Sequence, residues 1–432
     1  MRHARLMDSL QAQNGAGKTD HFPMGEIEFV GLMASIQALM ALSIDVMLPA
    51  LGIISADLGV SDPNQRQLIV GVFLISSGLA SIFPGAIADR FGRRPVLLVA
   101  VSAYVVLSIV CAIAGSFELL LLARVMVGMF TSAMMVMPMT ILRDRFEGDR
   151  MARTQSMIAM TFMVVPMIAP MVGQAMLAVA GWRWIFGIMA AMGAGVLFWT
   201  WMRLPETLRP EYRQAIEVRV IARNMGLAVR ERASFGYFFG AAFIQGALFG
   251  YINSAQQLVG EHFGAGTLFP VVFGGMALVM ASTNFVNSRI VERFGARRVS
   301  HTAMIVYIVV AAIHLLVALR GESLWVFVPL MTISMCMMSF IGANFQAISL
   351  QPFVRIAGAA ASIMSFLRTV IGAVLGTLIG QAYDGTARPI LVAMIVCGCL
   401  GTILVLYSER GKLFRRINPP GFYKNALPPA TP

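Results

Sequence analysis

The amino-acid sequence predicts an all-α membrane protein of twelve transmembrane helices arranged as two pseudo-symmetric six-helix bundles. Three observations carry this expectation. The first is composition: 58% of the 432 residues are hydrophobic, 12% are charged, and the mean hydropathy is +0.76. That is about half the charge of a soluble globular chain. The second is the recurrence of apolar runs about 20 residues long, each able to cross a hydrocarbon core as a helix. Lipid offers no partner to backbone N–H and C=O groups, so such runs must satisfy them internally. The third is a charged segment that occurs twice, "GAIADRFGRRPV" at 85–96 and "SRIVERFGARRV" at 288–299, after the second and the eighth run.

Taken in order, the runs cover 27–50, 66–88, 95–115, 118–142, 154–179, 184–204, 235–257, 267–290, 299–319, 324–350, 356–381 and 387–408. The first begins after a polar head and is too long for the apolar part of a cleavable signal peptide. The organisation expected is a tail at 1–25, a bundle at 26–204, a charged linker at 205–234, a second bundle at 235–408 and a tail at 409–432.

The net charge of +12 and pI near 10.2 raise the question of nucleic acid. The distribution of the charge answers it. With the N-terminus in the cytosol, 27 of the 33 Lys and Arg fall in cytosolic segments and four, Arg66, Arg183, Arg320 and Arg388, fall outside. That bias places both termini on the cytosolic side of an inner membrane and accounts for the basic pI without nucleic acid. The four cysteines lie within apolar runs and the five histidines are scattered; no metal set or cofactor site is expected. No GxxxxGK[ST] phosphate loop occurs, which argues against direct use of ATP.

Aligned without gaps, the two charged segments pair Asp89 with Glu292, Arg90 with Arg293, Phe91 with Phe294, Gly92 with Gly295 and Arg94 with Arg297. Each reads as a tight cytosolic turn. The glycine allows the reversal, Arg93 and Arg94 hold it on the cytosolic side, and the acid ends the preceding helix. Gly85, Asp89, Arg90, Gly92, Arg93, Arg94, Glu292, Arg293 and Gly295 are therefore candidate gating residues. Two six-helix halves related in this way are a known transporter architecture.

These residues closely resemble the signature loop of the major facilitator superfamily. "LSIDVMLPAL" in the first span, "LLARVMVGMF" in the fourth, "PMIAPMVGQ" in the fifth, "GWRWIF" entering the sixth and "LPETL" leaving it resemble the Bcr/CflA-type branch of twelve-span drug/proton antiporters. The resemblance extends over about residues 26–405. It implies a proton-coupled exporter of small hydrophobic compounds that works by alternating access, with a solute and protons as partners, and it implies a coupling role for Arg124. In antiporters resembling this chain the fifth span packs against the eighth and limits leak. The protein is read as a monomer in the bilayer and not as an enzyme, since no nucleophile–base or metal-ligand set lies in the spans.

Three charges fall well inside spans: Asp45, Arg124 and Arg368. A charge at mid-membrane costs about 2.5–3.5 kcal/mol on insertion scales, so each is a functional candidate. Asp45 stands about five residues from the outer end of the first run, and Pro49 has no N–H for its carbonyl, so the helix should loosen there. Removal from water disfavours an ionised carboxyl; such a group can take a proton from outside and lose it to the cytosol, or hold a cationic substrate. Arg124 falls at similar depth, within reach of Asp45 directly or through water. Arg368, about 12 residues into the eleventh span, is placed to snorkel, to bind an anionic group or to repel cations, and stands where an uncharged residue is more usual in the family. In the fifth span Pro166, Pro170 and Gly173 give a small, kinked face suited to close helix approach. Gln37, Gln245, Tyr251, Asn253 and Asn344 are candidate cavity walls. A transporter of a polar metabolite on the same fold remains an alternative.

Overall fold

In the computed structural model, residues 23–146, 148–208, 218–353 and 357–415 are described. The described elements are helical throughout. They are α1 (Glu26–Asp45), α2 (Leu51–Asp57), α3 (Leu68–Ala80), α4 (Phe83–Phe91), α5 (Arg93–Ala112), α6 (Phe117–Arg145), α7 (Gly148–Val179) and α8 (Arg183–Arg203). There follow α9 (Val218–Arg230), α10 (Arg232–Gln256), α11 (Phe269–Phe294), α12 (Ala296–Ala318), α13 (Leu324–Leu350), α14 (Ala357–Gln381) and α15 (Arg388–Ser408). Among the described residues ten helices are long and apolar enough to cross a membrane, eleven with the bent pair Asn64–Ala80 and Phe83–Phe91. The remaining predicted span falls in α7, whose Val164–Val179 part is a shorter apolar helix.

Two of the expected spans are broken, and proline explains both. The first does not end near residue 50. It runs from Glu26 to Asp57, interrupted at 46–50 by a short 3-10 turn around Pro49. Pro49 cannot donate to the carbonyl of Asp45, and α1 stops at that residue. Asp45 therefore lies twelve residues from the end of the span, deeper than the five expected from the apolar run. The second span bends by 51° between α3 and α4. Pro84, in the first turn of α4, has no N–H for the carbonyl of Ala80, the last residue of α3. The linker, expected only to be helix-compatible, contains α9. Its basic residues Arg219, Arg223 and Arg230 are exposed, while Met225 and Ala228 are buried.

Packing follows the repeat. In the first half α3 lies on α6, α5 on α6 and α8, and α1 on α7; in the second, α10 lies on α14, α15 and α13, and α12 on α13 and α15. Contacts between the halves run through α3 with α14 and α7 with α11. Gly92 and Gly295 have φ of 104° and 86°, a left-handed backbone open to glycine. Each caps the helix before it and starts the one after, so the sharp basic turns expected from the repeat are formed at both positions.

Candidate functional site

The break in the first span is the centre of the first half. Asp45, 6% exposed, ends α1 and makes no hydrogen bond or ion pair with any described residue. Arg124 on α6 is completely buried. It does not pair with Asp45. Instead its Nη2 donates to the carbonyl of Ser43 at 2.8 Å and its Nε to that of Ile69 at 3.1 Å. Its guanidinium lies over the ring of Phe73, 4.3 Å from the centroid, and Nη1 has no partner. Two bonds to a charged donor contribute about 1.5–3 kcal/mol each, which outweighs the roughly 2.5–3.5 kcal/mol cost of a charge in the membrane interior. The physical reason lies in the helix end: the last carbonyls of α1 lose their intrahelical partners and carry the negative end of its dipole. Arg124 thus ties the broken end of α1 to the start of α3. Ser43 adds a hydroxyl bond to the carbonyl of Leu39 at 2.9 Å, and Tyr104 donates to the same carbonyl at 3.3 Å.

The fifth span, α7, presses on this break and on the other half. A methyl group at Gly173 would collide with the carbonyl oxygen of Val46 and touch Pro49 at 3.5 Å. One at Gly274, on α11, would come within 2.9 Å of the carbonyl oxygen of Met167. So α7 meets α1 through Gly173, and the eighth span meets α7 next to Pro166. The helix continues through both Pro166 and Pro170.

At the basic turns the sequence named the arginines but not all of their partners. Arg93, 6% exposed, holds Asp89 at 2.5 Å and Asp144 at 3.1 Å. Glu206 accepts from the backbone N–H groups of Arg93 at 2.9 Å and Arg94 at 3.2 Å, capping the start of α5. Arg94 donates to the carbonyl of Trp201 at 2.7 Å. In the second half Arg297 pairs with Glu409 at 2.7 Å and bonds Gln351 at 3.1 Å. Tyr237 also donates to Glu409, at 2.7 Å. Arg90 and Arg293 lie over Phe91 and Phe294, each at 5.3 Å. Gly85 has open space about it. Glu292 is in the last turn of α11, and its side chain is outside the described residues.

The face opposite the basic turns carries a latch between the halves. Arg66, 5% exposed, clamps Glu261 with bonds of 2.6 and 2.8 Å. Gln67 pairs with Gln257 amide to amide. Asn64 donates to the carbonyls of Gln381 at 3.2 Å and Tyr383 at 2.9 Å, and Gln381 returns a bond to the Asn64 carbonyl at 2.6 Å. Burial pushes the Tyr383 phenol up to about 12, so it stays a donor, to the carbonyl of Gln257 at 3.3 Å. The described hydrogen bonds between the halves all lie at this face, which is closed.

The family model of the Major Facilitator Superfamily matches residues 33–377. The chain belongs to the major facilitator superfamily. It is similar to a bicyclomycin resistance protein homologue of Haemophilus influenzae, 27% identical over 90% of this chain and 98% of that protein. It is also similar to multidrug resistance protein MdtL of Klebsiella pneumoniae, 26% identical over 84% and 91% respectively. Among solved structures, an inward-facing, unoccupied bacterial homologue of the human lysosomal transporter Spinster superposes with a TM-score of 0.70 at 16% identity, covering 94% of this chain and 99% of that one. A D-xylose–proton symporter superposes with 0.69 at 14%, covering 90% and 99%; both likenesses concern the fold. The protein is a multi-pass membrane transporter of the superfamily and not an enzyme.

Of the cavity candidates in this superfamily member, several are engaged between helices. Tyr251 donates to the thioether of Met276 at 3.1 Å and stacks on Phe273. Asn344 donates to Asn287 Oδ1 at 2.8 Å. Asn253 is buried beside Gly380, with both polar atoms of its amide unpartnered. Gln245 is half-buried and packs against Gly372 of α14, and Gln37 is half-buried on α1. Arg368 lies within α14, half-buried and without a described partner. Sequence reasoning missed Asp144, Glu206, Glu409 and the latch. One signal was present: Glu206 and Glu409 stand at the same step of the repeat as Asp89 and Glu292.

Proposed function

We propose that this transporter exports small hydrophobic compounds in exchange for protons, by alternating access of two bundles, 26–204 and 235–408, joined by the 205–234 linker. The observation that carries the reading is Asp45: a buried carboxyl with no partner among the described residues, at a break in the first span, with Arg124 bonded to the backbone beside it and Gly173 of α7 packed on the next turn. The names of the similar proteins, bicyclomycin and multidrug resistance, support the substrate class. The basic turns support an inner-membrane protein with both termini in the cytosol, acting as a monomer.

In this reading the latched face is the outer one, and the cavity opens to the cytosol. There Asp45 releases its proton and the hydrophobic solute enters. The Arg66–Glu261 latch then parts, the basic turns draw together, and the cavity opens outward. The solute leaves, and Asp45 takes a proton from outside. The neutral carboxyl costs less to bury than the charged one, which favours return to the latched state. Arg124 keeps the broken helix end in place throughout.

A pump-deficient host expressing wild type, Asp45→Asn or Arg124→Ala tests this, with equal membrane levels checked. Wild type is expected to protect against hydrophobic drugs and both variants to fail. Equal protection by all three rejects the coupling roles. Absence of protection by wild type across a broad panel rejects drug export.

A further inference from the structure

Two exposed apolar grooves lie next to the two basic turns, one in each half. The first, of 540 Å³, is lined by Ile87, Phe91, Val96, Val99 and Ala100, together with residues of α6. The second, of 400 Å³, is lined by Ile290, Phe294, Val299, Thr302 and Ala303, together with residues of α13. The step from Ile87 to Ile290 recurs unchanged at all five positions, so the grooves are the same feature repeated. The walls of the first are largely open to the surroundings: Phe91 is 55% exposed and Val99 61%.

The second groove is closed on one side by the chain itself. Phe414, from the segment after α15, forms part of its wall. Arg298, on the rim, donates to the carbonyl of Phe414 at 3.0 Å, and the Phe414 N–H donates to Nδ1 of His301, also at 3.0 Å. An apolar side chain thus lies against the groove while a rim cation holds its backbone carbonyl. At the first groove no described residue stands in that place, and Pro95 stands where Arg298 stands in the second. It does have a rim cation: Arg90 lies over Phe91 and is exposed, with no hydrogen bond or ion pair to a described residue.

We propose that the first groove is a binding site for one anionic phospholipid of the leaflet at the basic face. An acyl chain lies along Ile87, Val96 and Val99, and the phosphate meets Arg90. The pairing of apolar burial with a charge-assisted contact is the one that Phe414 and Arg298 make in the twin groove. Anionic headgroups are attracted to surface arginines, and no described acid pairs with Arg90.

Native mass spectrometry of the purified full-length protein tests the site, with dioleoyl phosphatidylglycerol and dioleoyl phosphatidylcholine as probes. Wild type is expected to retain one phosphatidylglycerol after looser lipid is stripped, in preference to phosphatidylcholine. Val99→Trp fills the groove from a lipid-exposed position and should lose it. Arg90→Gln should reduce the preference for phosphatidylglycerol by about fivefold. Phe414→Ala removes the side chain that walls the twin groove, which keeps Arg298, and should raise the count to two. Equal retention of both lipids by wild type, an unchanged count in Val99→Trp, or a count still at one in Phe414→Ala overturns the proposal. None of these readouts depends on which compound is transported.

Discussion

Replacing Gly274 by alanine should unlatch the transporter. The added methyl would stand 2.9 Å from the carbonyl oxygen of Met167, with the Met167 Cα at 3.5 Å. Both neighbours are backbone of a long helix, so neither can turn aside as a side-chain tip would. Overpacking of this kind costs about 1–3 kcal/mol. The contact joins α7 to α11 across the two halves, so the cost falls on the state with the far face closed. At 1.4 kcal/mol per tenfold, the open population should rise roughly 5- to 150-fold. Thr377 reports on this: it is 9% exposed, on α14 against Gly71 of α3. With the native cysteines replaced and Thr377→Cys introduced, the rate of labelling by a membrane-impermeant thiol reagent should rise by that factor in Gly274→Ala. Gly275→Ala is the control, because a methyl group there meets nothing within 4 Å. Unchanged labelling in Gly274→Ala, or an equal rise in Gly275→Ala, would refute the reasoning.

Arg124→Met should lower thermal stability by about 2 kcal/mol, since the lost carbonyl bonds exceed the relief of removing a buried charge; Arg124→Lys should fall between, and a methionine variant more stable than wild type would contradict the helix-end role. Asp144→Ala leaves the buried Arg93 with Asp89 alone and should cost about 1.5–3 kcal/mol, read as a drop in melting temperature. Glu206→Ala removes the cap from α5 and should cost about 1 kcal/mol, while Glu206→Gln, which keeps an acceptor oxygen, should recover much of it. By contrast, Asp57→Asn should cost less than about 1 kcal/mol in the same melt, because Asp57 and Arg183 are both nearly half exposed.

How much of this was legible beforehand differs from residue to residue. Asp45 could be singled out because a carboxylate inside an apolar run needs no partner to be conspicuous. The break beside it follows from Pro49, four residues away. The partner of Arg124 was not legible. Charge reasoning offered Asp45, yet the structure gives two backbone carbonyls, and a freed carbonyl leaves no mark in a sequence. The end of the first span was misplaced because the apolar run was ended near residue 50; a 3-10 turn instead carries the chain through Pro49 into α2.

By itself the sequence determined the spans, their orientation bias, the repeated basic turns and the one acid deep in the first span. Those properties depend on hydropathy, charge and proline spacing over windows of about 20 residues, which bilayer thickness makes decisive. Only the tertiary structure decided what meets across the halves. Asn64 and Gln381 are 317 residues apart and exchange hydrogen bonds, and Gly274 touches Met167 through backbone alone. Such contacts arise from how helices pack, and side-chain chemistry read along one strand of text does not encode their register.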